Sequence, residues 1–257
     1  MLEIPTFHII SFKRRVGKTA LLERVIASLK ARGFRVIAVK HTIHEQLDLK
    51  DRDTYRLRRA GAEYVIAISK RDVAVLMNAR EFENVLRELG VDRGIILIEG
   101  FKSGPGYKLL VVNKENELEL GKVENLIALL VKEHGIVKER INGIKVLDYY
   151  DTDQVVDFIV NVALNHIIAK LPKLNCRMCG RSTCSDFALD FLKGKVSFRD
   201  CRHLTSRSIR LIVNGKEVPL SLYPSSVFRK VVLALISTLK GVPEKPRHVK
   251  LEIDEAQ

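Results

Sequence analysis

The chain has 257 residues, 46% apolar and 29% charged, a balance that can bury a real core and excludes a disordered tail. That length predicts one large core with a small appendage. No window approaches eighteen uninterrupted apolar residues, since the richest runs, Leu126–Val131 and Val231–Ile236, are six long, and a helical membrane span is excluded. The N-terminus opens on a strand-like Phe7–Ile10 without the apolar core and cleavage site of a signal peptide, so a cytoplasmic location with reduced cysteines is expected. The formal charge of +13 is uneven. Residues 1–60 carry 14 Lys and Arg against 6 Asp and Glu, and residues 170–210 carry 10 against 3, whereas residues 61–169 are net acidic. The two basic segments coincide with the two chemically suggestive motifs, which points to local anionic ligands in place of one continuous nucleic-acid stripe.

In chain order, Phe7–Ile10, Arg35–Val39, Tyr64–Ile68, Val73–Met77, Gly94–Ile98, Leu109–Val112 and Gly143–Leu147 are β-rich runs bounded by turn or charged residues. Helical spacing is expected over Thr19–Arg32, Asp53–Ala60, Glu81–Leu89 and Val123–His134. The sequence Asp151-Thr152-Asp153 caps a further helix that runs to about Leu171, where Pro172 ends it. Alternating strands and helices predict an α/β fold, phosphate-loop NTPase-like, with a mostly parallel sheet and helices on both faces. A small cysteine-ligated module and a β-hairpin and helix tail complete it. Asn214-Gly215 between Ile209–Val213 and Glu217–Leu222 reads as a hairpin turn. Ser225 or Ser226 would cap a helix to Lys240, with Gly241 beyond its end and a last strand at His248–Ile253. The expected domains are therefore 1–170 (nucleotide binding), 171–204 (cysteine module) and 205–257 (a ββαβ tail).

Strand Phe7–Ile10 leads through Ser11-Phe12-Lys13-Arg14-Arg15-Val16-Gly17-Lys18-Thr19 into a helix. That is the setting of a phosphate loop: amides at a helix N-terminus hold phosphate oxygens, a lysine reaches the terminal phosphates, and a threonine hydroxyl serves magnesium. Lys13, Val16, Gly17, Lys18, Thr19 and Ala20 are the candidate nucleotide contacts. The first glycine of the common pattern is absent. Lys13 through Thr19 resembles instead the Lys-Gly-Gly-Val-Gly-Lys-Thr loop of the MinD, ParA and nitrogenase-iron-protein class, with Arg14 and Arg15 at the two glycine positions. A positive φ at either position costs an arginine energy that a glycine would not spend, though the guanidinium groups can add phosphate contacts. Gly94–Ile98 ends in Glu99, a carboxylate placed to reach magnesium beside the phosphates; Lys18 and Glu99 are the candidate catalytic pair. Asn113-Lys114-Glu115-Asn116 lacks the final Asp of a guanine-reading motif and reads as a polar turn.

Phe12-Lys13, Gly17-Lys18-Thr19, Leu22-Glu23-Arg24, Ala31-Arg32-Gly33-Phe34, Lys40-His41-Thr42-Ile43-His44, Asp53-Thr54-Tyr55-Arg56, Ala60-Gly61-Ala62 and Glu99-Gly100-Phe101-Lys102 form an ordered series that resembles the molybdopterin-guanine dinucleotide biosynthesis protein B family. The resemblance covers roughly the first 170 residues. It implies a GTP-binding (or ATP-binding) accessory protein, at most a slow GTPase, whose partner is a molybdopterin nucleotidyltransferase or a pyranopterin cofactor enzyme; a homodimer stays open. The missing loop glycines and an apparent shortening after His44 bear on hydrolysis more than on binding. Lys40, His41 and Asp53 are expected to line the cleft at the carboxyl edge of the sheet, with polar surface on a loop as the equal alternative. A zinc site from His41 and His44 is disfavoured, because the extra ligands it needs have no fixed spacing.

The four cysteines follow the spacing Cys176-x2-Cys179-x4-Cys184-x16-Cys201. Only one zinc-type knuckle is present, whereas three crowded thiols and a distant fourth suit a cubane in which each thiolate binds a different iron. Leu171-Pro172, Asn175-Cys176-Arg177-Met178-Cys179-Gly180, Thr183-Cys184-Ser185-Asp186-Phe187-Ala188 and Gly194 resemble the small 4Fe-4S domain of RnfB-type electron-transfer proteins and corrinoid iron-sulfur proteins. Structural zinc is the minor alternative, and His203 or solvent is the substitute ligand should Cys201 be dispensable. Together these readings predict a GTP- and magnesium-binding accessory protein of molybdenum or tungsten cofactor biosynthesis that carries a 4Fe-4S cluster. The rivals are a nucleotide-gated electron donor and a basic nucleic-acid-binding module.

Overall fold

A computed structural model describes residues 3–42, 47, 53–78, 81–113, 123–132, 139–205, 209, 211–218, 220, 222–243, 246 and 249–251. The chain divides into two compact units, Met1–Ile167 with Ala188–Ser197, and Ile168–Phe187 with Phe198–Gln257.

The first unit is built on a seven-stranded sheet. Its strands are β1 (Thr6–Ile10), β2 (Val36–Lys40), β5 (Ile95–Glu99), β6 (Tyr107–Val112), β7 (Leu126–Val131), β8 (Arg140–Ile141) and β9 (Ile144–Asp148), in the order β2-β5-β1-β6-β7-β9-β8. All pairs are parallel except the edge pair of β8 with β9. Every residue of β1, and Ile95–Ile98 of β5, is buried. Successive strand side chains face opposite sides, so these strands are covered on both faces, as a parallel sheet requires. Each fully buried Phe, Ile or Leu there contributes about 1.5–3 kcal/mol.

Helix α1 (Lys18–Ala31) buries Leu21, Leu22, Val25 and Leu29, and α4 (Thr152–Lys170) buries Val155, Val156, Ile159 and Ala163. In α4 the Asp151 carboxylate accepts the amide of Gln154 at 2.9 Å, an N-cap that the sequence signals. Residues 188–197 pack within the first unit, where the Leu192 carbonyl accepts the Arg35 amide at 2.9 Å.

Three expectations change. The helix expected over Val123–His134 is strand β7: a six-residue apolar run buried between two sheet neighbours cannot be told from a helix by periodicity, and pairing with β6 and β9 decides it. Strands β3 (Tyr64–Ile68) and β4 (Val73–Met77) stay out of the large sheet and form their own antiparallel hairpin between α2 (Asp53–Arg59) and α3 (Phe82–Glu88) in the chain. Finally, α7 (Leu222–Ser237) begins before Ser225, with Pro224 in its first turn, where no amide donor is needed, and with Ser225 buried.

The second unit also holds the first residues of α5 (Cys184–Leu192), a single 3₁₀ turn at Phe198–Asp200, α6 (Arg202–Thr205) and the hairpin of β10 (Leu211–Val213) with β11 (Lys216–Val218). Asn214 (φ 48°) and Gly215 (φ 74°) supply the two positive φ angles that the tight turn demands. The expected roles of Ile43, His44, Asp48 and residues 114–116 lie outside the described residues, as does most of the expected last strand; its described part, residues 249–251, is not a strand.

Candidate functional site

Two sites emerge, one in each unit. In the first, parallel pairing sets Glu99 beside Ile9 of β1 and Lys40 of β2, so the carboxyl ends of three strands meet where the chain leaves β1 for α1. Gly17 caps α1 at φ 87° and ψ 19°, and the first turn carries no acidic side chain, which leaves the positive helix end open to an anion. A Cβ at Gly17 would run into the Tyr149 hydroxyl, so glycine is demanded by both conformation and space. Arg15 sits at φ 58°, so one of the two arginines at loop-glycine positions does adopt the left-handed region.

Ser11 is buried; its hydroxyl donates to the Lys13 carbonyl at 2.6 Å and accepts from Lys18 Nζ at 2.9 Å. Burial lowers the pKa of Lys18, and Lys40 and Lys102 add to this against the pull of Glu99. Thr19 Oγ1 donates to Glu99 Oε2 at 2.9 Å, and Lys40 Nζ pairs with Glu99 Oε1. Burial pushes the Glu99 pKa up, but hydrogen bonds from Lys40 and Thr19, with the charges of Lys40 and Lys18, outweigh it and hold the carboxyl below its ordinary range.

Thr19, Lys40 and Glu99 are thus joined in one network, and Lys18, bonded to Ser11, feels the Glu99 charge. Val16 is buried, Lys13 and Ala20 are exposed on the loop and first turn, and His41 stacks on Phe101 at 4.5 Å with rings 4° apart. Asp53 pairs at 3.7 Å with Arg56 of its own helix. Sequence reading missed the brace behind the loop. Tyr149 Oη donates to the Gly17 carbonyl at 2.8 Å, Lys132 Nζ lies 4.5 Å from the Tyr149 ring centroid, and Arg24 donates to the Tyr149 carbonyl at 2.9 Å. The sequence signal for Lys132 and Tyr149 is only their position just past the ends of β7 and β9, and Arg24 stands in the Leu22-Glu23-Arg24 motif nearly two turns into α1.

In the second unit, all four cysteines are free thiols lining one pocket with Leu171, Met178, Phe187 and His203. Asn175 Oδ1 accepts the Cys184 amide at 2.8 Å, and the Cys179 carbonyl accepts from Arg181 at 2.9 Å. Burial raises the pKa of Cys201, opposed by amide hydrogen bonds from Leu204 and His203, with Cys179 and Cys184 adding to the rise. Among the described residues, no three His, Cys, Asp or Glu side chains converge as a single ion would need. Four soft donors around one pocket, with a buried unpartnered His203 nitrogen in its wall, fit a thiolate-bound metal cluster. Among the described residues no helix is long and apolar enough to cross a membrane.

Comparison with known proteins follows the same division. Residues 7–132 match the family model "Molybdopterin guanine dinucleotide synthesis protein B", and residues 171–203 match "Putative Fe-S cluster". A "Putative molybdopterin-guanine dinucleotide biosynthesis adapter protein" of Methanocaldococcus jannaschii is 29% identical over 241 residues, 93% of each chain, so the likeness runs beyond the phosphate-loop segment. The "Molybdopterin-guanine dinucleotide biosynthesis adapter protein" of Haemophilus influenzae is 30% identical over 156 residues, 56% of this chain and 82% of its own. A solved structure, Bacillus subtilis MobB, is 21% identical, with 62% of this chain and 97% of that one covered and a TM-score of 0.48. Because the chain is 30% identical to the Haemophilus influenzae relative over 82% of that relative's length, it belongs to the molybdopterin-guanine dinucleotide synthesis protein B family.

Proposed function

We propose that this chain is a purine-nucleotide-binding adapter in the assembly of molybdopterin guanine dinucleotide cofactors, GTP being the preferred nucleotide, and that residues 171–204 hold a 4Fe-4S cluster. The observation that carries the nucleotide half is the placement of Lys18 beside the bonded Thr19 and Glu99 pair at the open N-terminus of α1. Amides of the first turn and Lys18 hold phosphate oxygens, which offsets the cost of a half-buried ammonium. Thr19 and Glu99 are the residues that would hold magnesium, and Lys40 keeps Glu99 ionised. A bound magnesium would neutralise phosphate charge. His41, fixed against Phe101, closes one side of the cleft, and Lys13 adds a cation to the loop. The partner expected from family membership is the nucleotidyltransferase or enzyme that takes the finished cofactor.

The cluster half is supported by four free thiols around one pocket, by their Cys-x2-Cys-x4-Cys-x16-Cys spacing and by the family-model match over residues 171–203. Lys173 (φ 55°), Asn175 (φ 46°) and Arg177 (φ 59°) hold left-handed backbone at every second position before Cys179. Such strain persists at functional sites, and left-handed residues help turn amides toward an anion. When bound, the cluster supplies one-electron redox chemistry or a structural staple.

Anaerobic calorimetry with GTP and ATP, alongside iron and sulfide analysis of the same sample, tests both halves. Absence of binding to either nucleotide removes the first, and one zinc with no iron removes the second.

A further inference from the structure

Residues 171–204 contain one histidine, His203, on α6. It is 8% exposed, and its Nε2 is fully buried without a hydrogen-bond partner among the described residues. Leaving a buried polar nitrogen unmatched is costly, so an atom in this position calls for a partner that the described residues do not supply. His203 lines the same pocket as the four cysteines, and its backbone amide already serves the Cys201 sulfur. The side chain is therefore anchored beside the thiols by its own main chain. Four thiols satisfy the four irons of a cubane, which leaves the imidazole no iron to bind but leaves anionic sulfur as an acceptor.

We propose that His203 donates a hydrogen bond from Nε2 to a sulfur of the cluster held by Cys176, Cys179, Cys184 and Cys201, an inference that rests on the cluster reading above. Donation to cluster sulfur stabilises the more negative, reduced state and raises the reduction potential. His203 thus acts as a tuning residue, and iron ligation stays with the thiolates.

The test uses the full chain, reconstituted anaerobically with iron and sulfide after growth on histidine carrying isotope-labelled nitrogen. Pulsed EPR of the dithionite-reduced wild-type cluster should show weak coupling to an imidazole nitrogen. His203→Phe should lose that coupling and shift the potential downward at constant pH, while iron and sulfide content stay at the wild-type level. His203→Gln, which keeps an N–H donor, should fall between the two in potential. No histidine coupling in the wild type, or coupling and potential unchanged in His203→Phe, overturns the proposal while leaving the cluster reading intact. Coupling of the size of a directly bound nitrogen, with cluster loss in His203→Phe, also overturns it, because His203 would then be a ligand. If the wild-type chain takes up no iron, the cluster reading falls and the hydrogen bond with it.

Discussion

The Tyr149 hydroxyl donates to the Gly17 carbonyl at 2.8 Å, so the chain just past β9 braces the residue that opens α1 and leaves Gly17 no room for a side chain. Gly17→Ala should destabilise the fold by roughly 2–4 kcal/mol, from left-handed strain plus overlap with the phenol. Tyr149→Phe should cost about 1 kcal/mol alone and less in the Gly17→Ala background, since it removes the atom that clashes. A double-mutant cycle by urea unfolding measures the coupling; strict additivity would mean the brace does not constrain the loop.

Arg15 at φ 58° predicts a stabilising substitution. Arg15→Gly relieves roughly 1–2 kcal/mol of left-handed strain and loses part of it to glycine's greater freedom when unfolded, a net gain of about 0.5–1 kcal/mol. The melting temperature should rise. Nucleotide affinity should fall in the same variant if the guanidinium touches phosphate, and calorimetry reads that separately.

Lys18→Ala removes a charge-assisted phosphate contact of about 1.5–3 kcal/mol, so nucleotide binding should weaken at least roughly tenfold. The same change should leave the nucleotide-free fold as stable or more so, because burial holds the Lys18 ammonium at a cost. Glu99→Gln should weaken binding in magnesium and spare it in EDTA; equal losses in both would make Glu99 purely structural. Glu99 is held below its ordinary pKa, so its ion pair contributes stability above about pH 4.5 and loses it as pH falls through the lower folded value.

His8 is buried under the loop that follows Glu99, with Nδ1 3.2 Å from the Gly100 carbonyl and Nε2 2.9 Å from that of Pro105. Burial lowers its pKa from 6.5, with Lys108 and His41 adding to this against the two carbonyl hydrogen bonds. The fold thus favours the neutral ring, and this contribution is complete above pH 6.5 and lost as pH falls through the folded value. Urea midpoints from pH 7.5 to 5 should decline less steeply in His8→Gln than in the wild type. Parallel slopes would assign the acid sensitivity elsewhere.

Replacing Cys176, Cys179, Cys184 or Cys201 singly with Ser should lower cluster content or stability in anaerobically reconstituted protein. The wild type should hold about four irons and four sulfides with a visible band that dithionite partly bleaches. Nucleotide binding should survive in each variant, since the phosphate loop lies in a unit with its own core. A cluster that forms equally well in Cys201→Ser would place the fourth ligand elsewhere.

Local chemistry made much of this protein legible before folding. The Gly17-Lys18-Thr19 loop needs only a strand before it and a helix after it, and both are written in adjacent residues. The cysteine spacing likewise gathers four thiols in one short segment, and the Asn214-Gly215 turn depends on two residues alone. Tertiary structure decided what depends on distant partners. Residues 126–131 became a strand because β6 and β9 flank them, and β3 and β4 paired with each other because no place in the seven-stranded order was theirs. Glu99 meets Lys40 through parallel register across 59 residues, and Tyr149 meets Gly17 across 132, separations at which no local periodicity carries information. His203 stands two residues from Cys201 in sequence, yet only packing buried its Nε2 without a partner, because burial depends on what the rest of the unit places around it.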